Sequence, residues 1–439
     1  MCGVFGVRAP GRDVARVTYF GLFALQHRGQ ESAGIAVSDA GRLTVLRDLG
    51  LVAQVFNEEK LGGLHGQVAI GHARYSTTGS SHWTNSQPLV HHGGARTVAL
   101  GHNGNLVNAA ELRDELARDG VKLKTTSDTE VIAALIANDP APLAEGTLFG
   151  FRDAHGFRPL VLGRLGDDPV LASETCALDL VGAELEREIG RGELVIVDDE
   201  GCHAEQAVPQ PESGAHCIFE FFYLARPDSR LAGVEVHGAR VRMGERLAEE
   251  APVEADLVLP IPDSGTPAAI GFSRATGIPF SEGLIKNRYV GRTFIQPDQG
   301  LRQQGVKLKF NPLAEVKGKR IVAVDDTIVR GNTTRQIVQM LFEAGAAEVH
   351  LRISAPPIVS QCYYGIDFAE EDELIAAKRT VEEVREYIGA TSLAYLSLEG
   401  LQASTRRPES SFCRACLTRD YPTAVPREST KLRFESTRA

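Results

Sequence analysis

The chain has 439 residues, of which 43% are hydrophobic and 24% charged, an ordinary composition for a globular protein. This length predicts two or three domains. The net charge of −10, from 47 Lys and Arg against 57 Asp and Glu, opposes a broad surface for nucleic acid or anionic membrane. No apolar run approaches the roughly 18 residues of a transmembrane helix, and the start lacks the features of a secretory signal. We therefore expect a cytoplasmic protein.

Cys2 is the first residue with a chemically distinctive position. Removal of Met1, the only residue before it, would give Cys2 both a thiol and a free α-amine. An amine with a pKa of roughly 7.7–8.0 can accept the thiol proton near neutral pH and so activate the nucleophile without a histidine. Position alone does not distinguish this arrangement from an incidental cysteine.

Three further segments follow in the amino-terminal half. GHARYSTTGSS (71–81) predicts a strand that ends at Arg74 and a polar loop. LGHNGNLVNAAELRDEL (100–116) predicts a strand, a loop with Asn103 and Gly104, and a helix that begins near Asn108. TTSDTEVIAALI (125–136) predicts a helix with Asp128 near its positive end.

Together with MCGVFGV at the start, these motifs resemble the amino-terminal-nucleophile (Ntn) glutamine amidohydrolase domain, an αββα sandwich, which we assign to residues 1–215. The resemblance implies that Cys2 attacks the amide carbon of glutamine. The Asn103 side chain and the Gly104 N–H would form the oxyanion hole. Arg74 would bind the α-carboxylate of glutamine and Asp128 its α-ammonium.

One segment departs from that domain. The family normally has a further helix and strand before the RDAHGFRPLVLG element (152–163), whereas residues 137–147 are few and rich in Pro and Ala. Either the sheet is trimmed or a segment is absent. The following residues 173–201 predict a helix, a second helix and an edge strand.

The carboxyl-terminal half, residues 216–424, opens with HCIFEFFYLARPDS (216–229), which predicts an apolar strand. Residues 255–273 predict a strand, a loop containing Ser264, and a helix that starts at GTP, an arrangement suited to an anion. Residues 284–310 are basic and include Lys286 and Arg288. A solvated loop or an RNA-binding patch are alternatives, but in an acidic chain we favour a lid that supplies cations to a polyphosphate.

RIVAVDDTIVRGNTT (320–334) predicts a buried parallel strand, two acids at its carboxyl end, and a loop that leads into a helix. Loop N–H groups and the positive helix end attract phosphate, while adjacent carboxylates suit ribose hydroxyls or Mg²⁺. We assign Mg²⁺ to Ser264, Asp325 and Asp326. The predicted phosphoribosyl site comprises Lys286, Arg288, Asp325, Asp326, Thr327, Arg330, Gly331, Asn332, Thr333 and Thr334.

This stretch resembles the phosphoribosyl pyrophosphate (PRPP) motif of type I phosphoribosyltransferases, α/β domains with a parallel sheet. With the amino-terminal motifs before it, the chain resembles the glutamine PRPP amidotransferase family. That resemblance implies glutamine and PRPP as substrates, 5-phosphoribosylamine and pyrophosphate as products, and AMP and GMP as feedback inhibitors. We also expect a homo-oligomer, either a dimer or a tetramer, no nucleic-acid or membrane partner, and a disordered tail over residues 425–439.

Four of the seven cysteines suggest a metal centre: Cys217, Cys362, Cys413 and Cys416. Four thiolates can bind Zn²⁺ or a [4Fe–4S] cluster, and their spacing alone does not decide between them. One branch of the amidotransferase family carries a structural cluster on cysteines in these contexts, before F-E-x-x-Y-x-A-R-P-D-S, before Y-G-I-D, and in C-x-x-C. The resemblance therefore implies [4Fe–4S], with Zn²⁺ as the alternative.

Two rival functions deserve comparison. A DNA-binding regulatory protein can use a PRPP motif as its ligand sensor, but this sequence contains no helix-turn-helix with a basic face. Another Ntn amidotransferase, making glucosamine phosphate or asparagine, would need sugar-isomerase or ATP-pyrophosphatase motifs where the PRPP motif stands. The sequence favours the glutamine PRPP amidotransferase.

Overall fold

The computed structural model describes residues 1–141, 144–287, 308–368, 370–426 and 434–435. The amino-terminal half is built on a fully antiparallel seven-stranded sheet. Its strands lie in the order Glu184–Glu188, Val161–Leu165, Asp168–Ala172, Gly3–Arg8, Val68–Arg74, Ser32–Asp39 and Arg42–Leu49. The strand that follows Cys2 is thus in the middle of the sheet, which holds the start of the chain rigidly.

A second, three-stranded sheet packs on this one, with Gly201–Gln206, Glu193–Asp198 and Leu148–Phe151 in that order. Side chains such as Leu148, Leu162 and Val195 fill the core between the sheets. Beside it lies the hairpin of Leu89–His92 and Thr97–Leu100. The sequence indicates a short connection over residues 137–147. The structure describes it only at its two ends, because residues 142–143 lie outside the described range.

Two pairs of helices pack on this half, one on the seven-stranded sheet and one on the hairpin. Val14–Ala24 and Thr175–Val181 pack on the seven-stranded sheet, while Ala109–Arg118 and Thr129–Asn138 pack together on the hairpin side. These layers confirm the predicted αββα sandwich. The remaining helical turns of this half are Gln26–Arg28, Val52–Val55, Glu58–Gly62 and Trp83–Asn85.

The carboxyl-terminal half contains the predicted parallel sheet. Its strands lie in the order Leu257–Pro260, Arg320–Asp325, Glu348–Ile353 and Ser392–Tyr395. In the second strand Val322 and Val324 face one core, while Ile321 and Ala323 face the other. Helices cover both faces of the sheet, which explains why the sequence of this strand is a continuous run of apolar residues.

The α-helices of this half are Val236–Glu250, Thr266–Thr276, Asn332–Glu343, Ile375–Lys378, Val381–Ile388, Leu398–Thr405 and Ala415–Thr418, and its 3₁₀ turns are Ala314–Val316, Glu371–Glu373 and Glu409–Ser411. Within the part of this half that the structure describes, three small strand pairs are present: His216–Cys217 with Phe412–Cys413, Arg230–Leu231 with Val234–Glu235, and Leu284–Lys286 with Phe310–Pro312. No helix of the described residues is long and apolar enough to cross a membrane.

Three secondary-structure predictions were wrong. Glu193–Asp198, predicted as an edge strand, is the central strand of the three-stranded sheet and pairs on both sides. Residues 216–229 are not one strand: only His216–Cys217 pairs, and Glu220–Leu224 forms a π-helix. Glu184–Glu188, predicted as a second helix, is an edge strand that pairs with Val161–Leu165. Its sequence ELERE favours a helix by local propensity, and pairing with the sheet overrides that preference.

Candidate active sites and cysteine centre

The amino-terminal site forms around Cys2. Its backbone N–H donates to Asn103 Oδ1 at 3.2 Å, and its Sγ lies 3.5 Å from the Tyr75 carbonyl oxygen. Because Cys2 N is a donor, the Asn103 amide must present its oxygen there, which leaves Nδ2 as the free end. Among the described residues, that buried Nδ2 has no hydrogen-bond partner. An unpartnered N–H₂ beside a thiol is what an oxyanion hole requires.

Met1 is folded into this site and is only 3% exposed. Burial, with the nearby Arg158 and Arg28 guanidinium groups, lowers the pKa of its α-amine to about 5. While Met1 is present, the Cys2 nitrogen is part of a peptide bond and cannot act as a base. Removal of Met1 would place the α-amine of Cys2 next to its own thiol.

The two histidines near the nucleophile are not suited to be the base. Burial, opposed by a hydrogen bond to His102 O, lowers the pKa of His72 to about 3, so its Nε2 donates to that carbonyl at 3.1 Å as a neutral imidazole. Burial also lowers the pKa of His102. Their geometry is that of structural residues.

Arg74 ends a strand and Asp128 begins a helix, and Asn85 links the loops next to them. Arg74 is buried and donates to the carbonyl oxygens of Ser80 and Thr78, at 3.2 and 3.1 Å. Asp128 occupies the N-cap position of the helix Thr129–Asn138, and its side chain accepts from Leu106 N at 2.9 Å. The fully buried Asn85 donates to Ser80 O and exchanges hydrogen bonds with Thr126. Sequence reasoning missed Asn85, because its role depends on partners 41 residues away.

Glu435 also reaches these loops. Its Oε1 accepts from Ser80 N at 2.7 Å and from Thr126 Oγ1 at 2.6 Å, and the Phe434 ring lies under the Arg113 guanidinium. The rest of the tail that the sequence predicts to be disordered, 427–433 and 436–439, lies outside the described residues.

The second site is the loop after Arg320–Asp325. Asp326 accepts from Thr327 Oγ1 at 2.7 Å and from Ser264 Oγ. Burial and then the neighbouring Asp326 raise the pKa of Asp325 well above its usual range. Burial likewise raises the pKa of Asp326, although the hydroxyls of Ser264 and Thr327 oppose it. Two buried adjacent carboxylates beside a hydroxyl offer the oxygen ligands that Mg²⁺ prefers. A bound Mg²⁺ would offset the repulsion between the two carboxylates.

The phosphate loop has the predicted form. Gly331 takes a left-handed φ of 76° and starts the helix Asn332–Glu343, whose first amides lack intrahelical acceptors. Thr334 is buried, whereas Asn332 and Thr333 are exposed. Arg330 reaches across the surface to Glu373 at 2.6 Å. The loop therefore presents hydroxyls and amides at one helix end.

Lys286 joins this site through Asp263, to which its Nζ donates. Asp263 precedes Ser264, whose hydroxyl donates to Asp326. The Lys286 ammonium therefore lies on the side of the loop where Asp326 is. Arg288 and most of the predicted lid fall in 288–307, outside the described residues.

The four predicted cysteines come together. Cys217, Cys362, Cys413 and Cys416 line a single cavity, together with Arg158 and Tyr364. Cys217 and Cys413 sit opposite each other on paired parallel strands. Burial raises the pKa of the Cys217 thiol to about 11, and it raises those of Cys413 and Cys416 too. Among the described residues, no group of three or more His, Cys, Asp or Glu converges as a site for one metal ion.

The segment after Cys362 contacts the amino-terminal site. Asn105 Nδ2 donates to Tyr363 O at 3.1 Å, and Arg158 donates to Tyr364 O at 3.0 and 2.6 Å. Gly365, with φ of 107°, lies so close that a Cβ there would be 2.9–3.1 Å from Gly104 backbone atoms. One backbone turn thus carries a cavity cysteine and supports the predicted oxyanion loop.

Comparisons with known proteins define the class first. A glutamine amidotransferase domain model matches residues 62–140, and a phosphoribosyl transferase domain model matches residues 239–357. The chain is therefore a glutamine amidotransferase domain joined to a phosphoribosyltransferase domain.

Full-length relatives define the family. Amidophosphoribosyltransferases of Mycobacterium tuberculosis and Archaeoglobus fulgidus are 51% and 48% identical to it; the alignments cover 98% of this chain in both cases, and 87% and 99% of those proteins. The structure of Bacillus subtilis glutamine PRPP amidotransferase complexed with ADP and GMP matches with a TM-score of 0.91 at 44% identity, over 98% of this chain and 99% of that one. The chain belongs to the amidophosphoribosyltransferase family, as its motifs predict, and the two rival functions are excluded.

The M. tuberculosis alignment spans 464 residues, more than the 439 of this chain. That relative therefore carries segments that this chain lacks.

Replacing Gly365 with Ala tests the support of the oxyanion loop. The new Cβ would press on the Gly104 backbone, and loss of an oxyanion donor costs roughly 10²–10³-fold in turnover. We expect glutamine hydrolysis to fall by up to that factor, while synthesis from free ammonia is retained. Gly389→Ala is the matched control, because Gly389 has φ of 79° and open space around it. Equal glutaminase rates in the two variants would contradict this role.

Replacing Asp325 with Asn tests the pair of acids. Because the pKa of Asp325 is raised, the metal-free folded chain binds more protons than the unfolded chain above the ordinary carboxyl pKa of about 3.9. Stability therefore falls as pH rises through the raised pKa, and Asp325→Asn should raise the melting temperature at pH 7. Transfer to PRPP should fall about a hundredfold or more, since Asp325 is one of the two carboxylates predicted to bind the ribose hydroxyls and Mg²⁺.

Asp256→Asn is the control for that variant. Asp256 accepts from the Arg320 backbone and guanidinium at the other end of the same strand, which lowers its pKa. We expect no gain in melting temperature and unchanged transfer. If Asp325→Asn were instead less stable than the parent and fully active, the acids would not form a strained metal-binding pair.

Proposed function

We propose that this chain hydrolyses glutamine at Cys2 and transfers the ammonia to PRPP, which gives 5-phosphoribosylamine, glutamate and pyrophosphate. One observation supports the first half-reaction above others: the unpartnered Nδ2 of Asn103 beside the thiol. The family of the chain supports the whole reaction. As the first committed step of purine synthesis, it makes the enzyme a glycosyltransferase of the pentosyltransferase class.

The proposed glutaminase steps use groups of this chain alone. After removal of Met1, the α-amine of Cys2 accepts the thiol proton, and the thiolate attacks the amide carbon of glutamine. The Asn103 Nδ2 and the Gly104 N–H stabilise the oxyanion. The amine returns its proton to the leaving nitrogen, so that ammonia and a thioester result. Water then hydrolyses the thioester to glutamate and restores the thiol.

Ammonia then displaces pyrophosphate from C1 of the ribose at the second site. The helix that starts at Asn332, with the hydroxyls of Thr333 and Thr334, would bind the 5-phosphate. Asp325 and Asp326 would bind the ribose hydroxyls and, with Ser264, hold Mg²⁺, which supplies positive charge to the leaving pyrophosphate. Lys286, and Arg288 outside the described residues, would contact that leaving group.

Purine nucleotides are proposed as ligands of this chain because the B. subtilis relative is complexed with ADP and GMP. Their phosphates require the donors that bind the 5-phosphate, which supports competition by AMP and GMP at the loop 327–334. Assembly into a dimer or tetramer, location in the cytoplasm, and the domain boundary between residues 215 and 216 stay predictions.

Cys2→Ala tests the order of the two half-reactions. Loss of the nucleophile should reduce glutamine-dependent synthesis at least about a thousandfold, while synthesis from free ammonia continues. Cys202→Ala is the control, because Cys202 is a half-exposed cysteine on the edge strand Gly201–Gln206. A variant without Cys2 that still uses glutamine, or that loses the ammonia-dependent reaction instead, would overturn the assignment.

We further propose that the cysteine cavity holds a [4Fe–4S] cluster rather than Zn²⁺. Each corner iron of such a cluster takes one thiolate, which suits four thiols that surround a space. The adjacent Arg158 guanidinium would offset the negative charge of thiolates. The role would be structural, because Cys217 and Cys413 join the beginning of this half to its end.

Cys413→Ser should remove iron and acid-labile sulfide and lower the melting temperature, since the binding energy of a structural metal is also folding energy. The measurement is an anaerobic absorbance spectrum with iron, sulfide and zinc analyses of the purified protein. Cys176→Ser is the control, because Cys176 is buried in the other half of the chain. A colourless parent protein that contains zinc would refute the cluster and leave the proposed catalysis intact.

A further inference from the structure

A buried arginine holds the nucleophile from behind. Arg28 Nε donates to the Cys2 carbonyl oxygen at 2.9 Å. Its two other nitrogens bind Glu220 at 3.0 and 2.8 Å, and Nη1 also donates to Glu174. The side chains of all three ionic residues are 0% exposed. The planar fork of an arginine can reach a carbonyl and two carboxylates at once, which an ammonium cannot do with the same geometry.

Both carboxylates are fixed by the carboxyl-terminal half. Glu220 belongs to the π-helix Glu220–Leu224, 192 residues from Arg28. Glu174 accepts from Ser229 Oγ at 2.6 Å and from the Arg226 backbone N–H at 2.9 Å. The guanidinium that contacts Cys2 is thus held by groups that depend on docking of the second half.

Each buried acid of the network has more than one basic partner, and Glu174 Oε1 also lies 2.7 Å from His27 Nε2. Arg158 Nη1 lies 3.7 Å from Glu220 Oε1, so two guanidinium groups face two carboxylates. Although burial alone would have the opposite effect, the carboxylates raise the pKa of Arg28, and His27 and Arg28 lower the pKa of Glu174. Buried ions are tolerated when they are paired in this way, and breaking one pair leaves an uncompensated charge.

Cys2 is therefore held at three atoms by three parts of the chain: at N by Asn103, at Sγ by Tyr75 O, and at its carbonyl by Arg28. A purely structural ion cluster would not require Arg28 Nε to donate to the backbone carbonyl of the nucleophile. We propose that Arg28 is a positioning residue for the Cys2 thiol, and that Glu220 couples this positioning to the docked phosphoribosyltransferase half. The inference rests on the proposed glutaminase function.

The test compares Arg28→Lys with the parent protein. Lysine keeps the charge but cannot hold the carbonyl and both acids. We expect kcat for glutamine hydrolysis to fall about 10–100-fold, because a shift of about 1 Å in a reacting group can cost about a hundredfold in rate. The KM for glutamine should change less than about threefold, because Arg74 and Asp128 are untouched. Alkylation of Cys2 by iodoacetamide, followed by mass spectrometry, should slow in parallel with kcat.

Two further measurements separate positioning from stability. Synthesis from free ammonia should stay within about twofold of the parent, since the second site is intact. Arg352→Lys is the matched control: Arg352 is a buried arginine that donates to the Ala251 carbonyl and to Ser392, in the second half only. It should lower the melting temperature without changing kcat for glutamine or the alkylation of Cys2.

A folded Arg28→Lys protein with parental kcat and parental Cys2 alkylation would overturn the proposal and leave the network a structural element. If Arg28→Lys fails to fold, Glu220→Gln decides by the same criteria, because it keeps the shape of the side chain and removes its charge. A parent protein without glutaminase activity would instead refute the proposed function, so the two failures are distinguishable.

Discussion

The Arg28 guanidinium, between the carbonyl of Cys2 and two buried carboxylates, is the constraint on which the rest of the molecule depends. Ions without exposure are costly unless each is paired, and the pair of Arg28 with Glu220 can form only when the two halves are docked. Glu220 from the second half and Glu174 from the first meet on one guanidinium. The geometry of the amino-terminal site is therefore a property of the whole chain.

A second contact passes close to the same network. The turn after Cys362 places Tyr364 against Phe157, with stacked rings 4.1 Å apart, and its carbonyl accepts from Arg158. Arg158 also lines the cysteine cavity. The oxyanion loop, the ion network and the four thiols consequently share one interface. A metal centre that ordered this turn would order the glutaminase site as well.

Sequence reasoning was most successful where local patterns carry the information. The strand Arg320–Asp325, its two acids and the following helix were all predicted, because apolar continuity and a glycine at a left-handed position are local signals. The meeting of four cysteines was predicted from motif contexts rather than from spacing. The predicted roles of Cys2, Asn103 and Arg74 likewise came from motifs.

The rest depended on distant partners. Residues 216–229 look like an aromatic strand, yet Glu220 has to turn inward to reach Arg28, and the chain forms a π-helix there. Glu184–Glu188 has the composition of a helix and becomes a strand because a sheet edge is available. Nothing in the sequence shows that the Arg28 guanidinium meets Glu174 and Glu220. Periodicity cannot reveal ion pairs between residues nearly 200 positions apart.

The central claim, that glutamine is hydrolysed in one half and its ammonia is used in the other, is tested most directly by following the nitrogen. The protein would be given PRPP with glutamine labelled by ¹⁵N at the amide, in the presence of excess unlabelled ammonium, and the trapped phosphoribosylamine analysed by mass spectrometry. The account predicts that the product carries ¹⁵N almost undiluted, because ammonia passes between docked halves. Product nitrogen with the isotope ratio of the bulk ammonium would contradict it.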